Sequence, residues 1–124
     1  LMEQILLHLI GDYVTQTNKM AMLKVSSLFW AGLHGFIYAA PFLLIGSPLE
    51  VLVIGLTHVV IDRYRLARFI VFAKNWVTEP HLKWSDCSRT GYPNTAPDWM
   101  AVWLLIITDN VMHLVINYGA LQWL

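Results

Sequence analysis

Three acid–histidine pairs lie inside apolar stretches of this chain, and the two residues of each pair are four positions apart. The pairs are His8 with Asp12, His58 with Asp62, and Asp109 with His113. Positions i and i+4 of an α-helix share one face, so each pair would direct an imidazole and a carboxylate to the same side of its helix. Ionisable groups within apolar helices are costly to bury, and they usually face the interior of a helical bundle. The pairs therefore predict a helical fold with a polar centre.

The composition is typical of a membrane protein. Of the 124 residues, 57% are hydrophobic and only 13% are charged, which is too few charged side chains to cover a soluble domain of this size. The formal net charge is zero, so no nucleic-acid partner is expected. We predict an all-α integral membrane bundle that forms one domain over residues 1–124. The lipid bilayer is its expected partner, and a homo-oligomer is compatible with the same pattern.

The apolar residues fall into four segments. The predicted inserted helices cover residues 1–16, 25–45, 48–63 and 98–121. A bilayer crossing takes about 20 residues, so the first segment is short for a complete crossing. Residues 64–77 alternate basic and apolar side chains and predict an amphipathic helix on the membrane surface. Residues 78–97 hold three prolines and are predicted to form a loop.

The basic residues support this layout, because all eight Lys and Arg lie either after the first segment or from the last residue of the third segment onward, before the fourth. Four crossings would place both basic regions on the same side of the membrane. The positive-inside rule makes that side cytoplasmic and leaves both termini outside. The prediction is a multi-pass membrane protein with cytoplasmic basic loops.

Counting along the helices from the basic regions places the acid and imidazole groups in the cytoplasmic half of the bundle. Imidazole together with carboxylate suits a divalent Zn, Mn or Fe ion. The residues predicted as metal ligands are His8, His58, Asp109 and His113. Asp12, Asp62 and His34 are predicted as the catalytic set, acting as a general base, as further ligands or as groups that orient the ligands.

Several motifs resemble a family of small phage and bacterial membrane proteins, domain-of-unknown-function family 3307. The resemblance covers nearly the whole chain, and its most specific parts are H-x3-D-x3-Q-T from His8 to Thr17, H-x3-D from His58 to Asp62, and D-x3-H from Asp109 to His113. It implies a multi-span membrane protein, often phage-encoded, and carries over no catalytic residue. The predicted location is the bacterial inner membrane. A looser similarity is to the YdjM-like membrane-bound metal-dependent hydrolases.

Two functions follow from these observations. The first is a metal-dependent hydrolase at the cytoplasmic leaflet, acting on a lipid head group, an isoprenoid phosphate or a peptide. The second is a non-enzymatic phage membrane protein, an oligomeric channel or interaction factor, in which the buried pairs tie helices together or conduct protons. A metal-binding hydrolase and a metal-free structural protein would respond differently to loss of His58.

Overall fold

The computed structural model describes residues 1–124 and is entirely helical, which confirms the predicted all-α class. Its seven α-helices are α1 (Met2–Leu9), α2 (Asn18–Leu23), α3 (Leu28–Ala39), α4 (Pro48–Tyr64), α5 (Ala67–Thr78), α6 (Trp84–Cys87) and α7 (Asp98–Trp123). Helix α1 continues as a π-helical turn over Ile10–Val14, and α3 continues as a 3-10 segment over Ala40–Leu44. The short helix α6 lies within the stretch that the sequence predicts to be a loop.

The chain divides into two compact units. The first consists of Leu1–Arg65 together with His113–Leu124, and the second consists of Leu66–Met112. The first unit therefore contains α1 to α4 and the C-terminal part of α7. The second contains α5, α6 and the N-terminal part of α7.

Helix lengths identify one candidate membrane span. Helix α7, with 26 residues, is long and apolar enough to cross a bilayer, whereas the apolar stretch Leu28–Leu44 is shorter. Helix α4 has 17 residues, which at 1.5 Å per residue is about 26 Å against a hydrocarbon core of about 30 Å. Four complete crossings, as the sequence predicts, are not established by these lengths.

Glycine brings α3 and α4 close together in the first unit. A Cβ atom added to Gly35 would lie 2.3 Å from Val59 Cγ2, and one added to Gly55 would lie 3.1 Å from Ala39 Cβ. Small residues at a helix crossing permit such close approach of two backbones. The neighbouring apolar core includes Tyr38, Phe42, Ile54 and Ala120. This tight contact sets the separation of the two helices that carry most of the polar centre.

Local sequence signals fix where these helices begin and end. Ser47 and Glu50 form a reciprocal capping box at the start of α4, with Pro48 in the first turn. Both the cap and the proline are favourable at a helix N-terminus. At the other end of α4, Arg65 adopts a left-handed conformation with φ of 51°. Pro41 lies in the 3-10 segment that follows α3. A proline inside an α-helix removes a backbone hydrogen bond, so the regular α-helix ends before this residue.

The second unit has its own small set of contacts. Trp84 stacks on Phe69 with ring centroids 4.8 Å apart, and the Arg68 guanidinium donates to the Ser88 carbonyl. Gly91 has a φ of +86°, and a Cβ there would lie 2.4 Å from the Arg68 carbonyl oxygen. Glycine is therefore required at this position both for its conformation and for the space it leaves.

Candidate metal centre

Four ionisable side chains meet inside the first unit. Asp12 comes from the π-helical turn, His34 from α3, and His58 and Asp62 from one face of α4. Each offers one ligand atom, and all four ligand atoms lie within 4.8 Å of one another. We call Asp12, His34, His58 and Asp62 the quartet. Residues of these types at such spacing are able to hold a metal ion.

The spacing within the quartet is close to that of a tetrahedral ligand shell. His34 Nε2 lies 3.3 Å from Asp12 Oδ1 and 3.3 Å from Asp62 Oδ2. His58 Nε2 lies 3.4 Å and 3.2 Å from the same two oxygens, and the two Nε2 atoms are 3.0 Å apart. Zinc bonds of about 2.0–2.1 Å in a tetrahedron place ligand atoms about 3.3–3.4 Å apart. Five of the six edges are thus near the separation that a bound zinc would impose.

The quartet is also buried. Asp12 is 8% exposed and Asp62 7%, while His34 and His58 are fully buried or nearly so. Asp12 Oδ1 accepts no hydrogen bond, although buried polar atoms are nearly always satisfied. A carboxylate oxygen left in this condition costs free energy. A cation between the four ligand atoms would satisfy that oxygen.

Asp62 is held through both of its oxygens. Lys24 donates a hydrogen bond to Oδ2 at 2.6 Å, and His113 Nε2 lies 3.3 Å from Oδ1. His8 stands in a similar place beside the other carboxylate, with its Nδ1 3.5 Å from Asp12 Oδ2. His8 and His113 therefore contact the carboxylates from outside the quartet.

Tyr38 lies beneath the quartet and orients one of its rings. Its ring stacks on His58 with centroids 3.7 Å apart and planes 17° apart. Its hydroxyl accepts a hydrogen bond from Asn117 Nδ2 at 2.6 Å and is 2.8 Å from His8 Nδ1. The Nδ1 atom of His58 makes no hydrogen bond. The His58 ring is thus held by stacking on Tyr38 and by the polar contacts of its Nε2 atom within the quartet.

The structure groups the residues that the sequence singles out differently from the prediction. The predicted ligands were His8, His58, Asp109 and His113, and only His58 belongs to the quartet. Asp12, His34 and Asp62, predicted as the catalytic set, supply the other three ligand atoms. Asp109 precedes His113 by one turn on α7 and belongs to the second unit.

Sequence reasoning missed three members of this centre. Tyr38 and Asn117 lie four residues after His34 and His113, so the i+4 rule that revealed the pairs would have found both. Lys24 was taken only as a boundary charge, and no spacing along the chain connects it to Asp62. The π-helical turn at Asp12 was missed as well; such turns occur frequently at functional sites.

Comparison with known proteins gives one match. Residues 1–120 match the family described as "Protein of unknown function (DUF3307)". The chain belongs to this family. No match was found among curated proteins or among solved structures. The similarity to YdjM-like hydrolases receives no support from these comparisons, so the site must be interpreted from its own geometry.

Two other reactive side chains of the DUF3307 chain lie outside the centre. His81 is exposed and has Glu79 4.0 Å away. Cys87 is buried in the second unit, and this burial, together with nearby Asp86, raises the pKa of its thiol. A thiol with a raised pKa is a poor nucleophile at neutral pH. Neither residue extends the site.

Substitution Gly11→Ala is expected to disrupt the centre of the DUF3307 chain. A Cβ at this position would lie 2.5 Å from Tyr38 Cδ2, and the Tyr38 ring is fixed against His58. Overpacking of this kind costs about 1–3 kcal/mol. Gly32→Ala is the matched control, because nothing lies within 4 Å of its added Cβ. A thermal unfolding midpoint lowered by Gly32→Ala but not by Gly11→Ala would contradict this account of the packing.

Proposed function

We propose that this protein is a membrane-embedded metal-dependent hydrolase whose metal centre is the quartet. The observation that carries the proposal is the separation of 3.0–3.4 Å between five pairs of ligand atoms in the quartet. Buried side chains that merely pair with one another need contact only one partner each. Here two nitrogens and two oxygens surround one point, as the ligands of a metal ion do.

The donor set indicates which ions would bind. Two imidazole nitrogens with two carboxylate oxygens suit Zn, Mn or Fe, whereas Mg and Ca prefer oxygen alone. The ligand separations favour zinc, because they match its bond lengths in a tetrahedral shell. A divalent ion also balances the two carboxylates, which bring two negative charges into a buried position.

The roles of the quartet follow from the contacts of each carboxylate. A divalent ion bound here would supply Lewis acidity and lower the pKa of a water molecule. Asp12, His34 and His58 would hold the ion, since catalytic zinc sites commonly use three protein ligands. In the absence of substrate, Asp62 would occupy the fourth coordination position. When substrate occupies that position, Asp62 would remain in contact with Lys24 and His113 and would accept a proton as general base.

Exposed apolar side chains support a membrane location for the first unit. Large hydrophobic residues are exposed on each of its longer helices: Leu6 and Leu9 on α1, Leu28 and Phe36 on α3, Leu52 and Leu56 on α4, and Val115 and Tyr118 on α7. Contiguous apolar surface on a folded protein usually contacts lipid or another protein. We propose a four-helix insertion in the bacterial inner membrane, in which the shorter helices are accommodated by local thinning of the bilayer. The basic residues would place the quartet near the cytoplasmic leaflet.

A hydrolysis screen in detergent micelles tests the proposal. Metal-loaded protein is incubated with a phosphate monoester, a carboxylic ester and a peptide, each on a lipid-like tail. Hydrolysis of one class is expected, with its loss on chelation and recovery on addition of Zn²⁺. His58→Gln should remove the activity, whereas His81→Gln should retain it because His81 is exposed and is not one of the quartet residues. Hydrolysis that persists in His58→Gln would contradict the assigned site.

A second candidate function is a structural metal site that ties helices together without catalysis. It is favoured by the completeness of the shell, since four protein ligands from three helical segments leave no position for substrate. The two functions differ in the screen: a structural site would bind metal stoichiometrically while the protein hydrolyses none of the three substrates.

A further inference from the structure

Lys24 is the most exposed charged group that contacts the quartet. Its side chain is 19% exposed, compared with 10% for Asp12 and 5% for Asp62. Tyr38 and His113, which also contact quartet residues, are both buried. Of these side chains, Lys24 is therefore the one most accessible to a ligand.

Metal binding changes the sign of the charge at this centre. With neutral imidazoles, the two carboxylates and the Lys24 ammonium sum to −1 (−2 + 1), and a divalent ion makes the sum +1 (−1 + 2). An uncompensated charge in a buried position is costly, so a loaded centre attracts an anion. The anion would be attracted only after the metal has bound.

Lys24 has hydrogen-bonding capacity left for such an anion. An ammonium group carries three N–H donors, and the Asp62 carboxylate takes one of them. Lysine is a common phosphate-binding residue, acting as a point charge. Asp62 Oδ2 would be a ligand of an ion held by the quartet, and it also accepts the hydrogen bond from Lys24. One phosphate group could therefore contact both the ion and Lys24.

From this geometry we infer that Lys24 is a specificity-determining residue that binds the phosphate of a phosphate-monoester substrate at the metal-loaded quartet. The inference rests on the proposed function and narrows its substrate to one class. A phosphate group of this kind could belong to a lipid or to a soluble molecule, and both share the chemistry that Lys24 recognises.

Calorimetric titration of inorganic phosphate into detergent-purified, Zn²⁺-loaded protein tests the inference. We expect phosphate to bind the loaded wild type and not the metal-free protein. Lys24→Gln, which keeps a donor for Asp62 but loses the charge, should weaken binding at least about tenfold. Lys24→Arg should retain binding. Lys19→Gln is the matched control, because Lys19 is exposed and lies over the Trp30 ring.

The outcomes separate this inference from the proposed function. Wild type that binds no metal would overturn both. If metal-loaded wild type binds no phosphate, the role of Lys24 alone is overturned. The same conclusion follows if Lys24→Gln binds phosphate as tightly as wild type does. A second titration uses nanodiscs of phosphatidylcholine with 10% phosphatidic acid. Tighter binding to these discs than to inorganic phosphate identifies a lipid source, and equal binding identifies a soluble one.

Discussion

Protein carrying Asp12→Asn is expected to be purified with almost no metal, whereas wild type should hold about one divalent ion per chain. Asparagine has nearly the same shape as aspartate, so the π-helical turn and its packing should persist. The amide lacks the negative charge that a buried cation requires. Loss of a group that only orients a ligand already costs 10–100-fold in metal affinity, and loss of a ligand should cost more. Elemental analysis of protein from metal-supplemented cells measures the effect.

Asp86→Asn is the matched control for this prediction. It makes the same chemical change at an exposed acidic residue of α6, outside the quartet. Metal content in Asp86→Asn should equal that of wild type. Wild type that lacks metal even after supplementation would rule out the metal centre, and so would Asp12→Asn with undiminished metal.

Removal of metal from wild type is expected to lower its thermal unfolding midpoint by on the order of 10 °C. A ligand at 1,000 times its dissociation constant stabilises the folded state by about 4.1 kcal/mol. For a chain of this size, each kcal/mol corresponds to several degrees. Without the ion, the buried Asp12 Oδ1 accepts no well-formed hydrogen bond, which adds to the loss. Unfolding followed by circular dichroism, with and without chelator, measures the shift.

Asp12→Asn is the control here as well, because a protein that binds no metal should be insensitive to chelator. Equal shifts in the variant and in wild type would mean that the chelator acts elsewhere. An unchanged midpoint in metal-loaded wild type would contradict a buried centre, since the bound ion must be released when the chain unfolds.

The sequence was sufficient to predict the all-α fold and the polar centre, because both depend on local spacing. Apolar segments locate the helices, and the i+4 rule places His58 and Asp62 on one face of α4. The i+4 rule does not specify how each helix is rotated about its own axis relative to its neighbours. That rotation depends on contacts between segments far apart in sequence, such as Gly35 against Val59.

This dependence explains why the ligands predicted from the sequence differ from the quartet residues found in the structure. A histidine and an aspartate four residues apart are equivalent in a helical projection, so nothing local indicates which of them faces the centre. In the first pair, the π-helical turn Ile10–Val14 alters the helix pitch at Asp12, which brings that carboxylate to the quartet and leaves His8 beside Tyr38. Lys24 reaches Asp62 across 38 positions of the chain. No periodicity reveals such a pair.

The distribution of the ligands along the chain also orders the events of biosynthesis. Asp12 is translated about fifty residues before Asp62, so the first carboxylate of the quartet is made well before the second. Under the proposed function, the cation would be captured only after α4 has been translated, because His58 and Asp62 lie on that helix. His113 and Asn117 arrive last of all, close to the C-terminus, and complete the polar contacts around a site whose ligands have already been made.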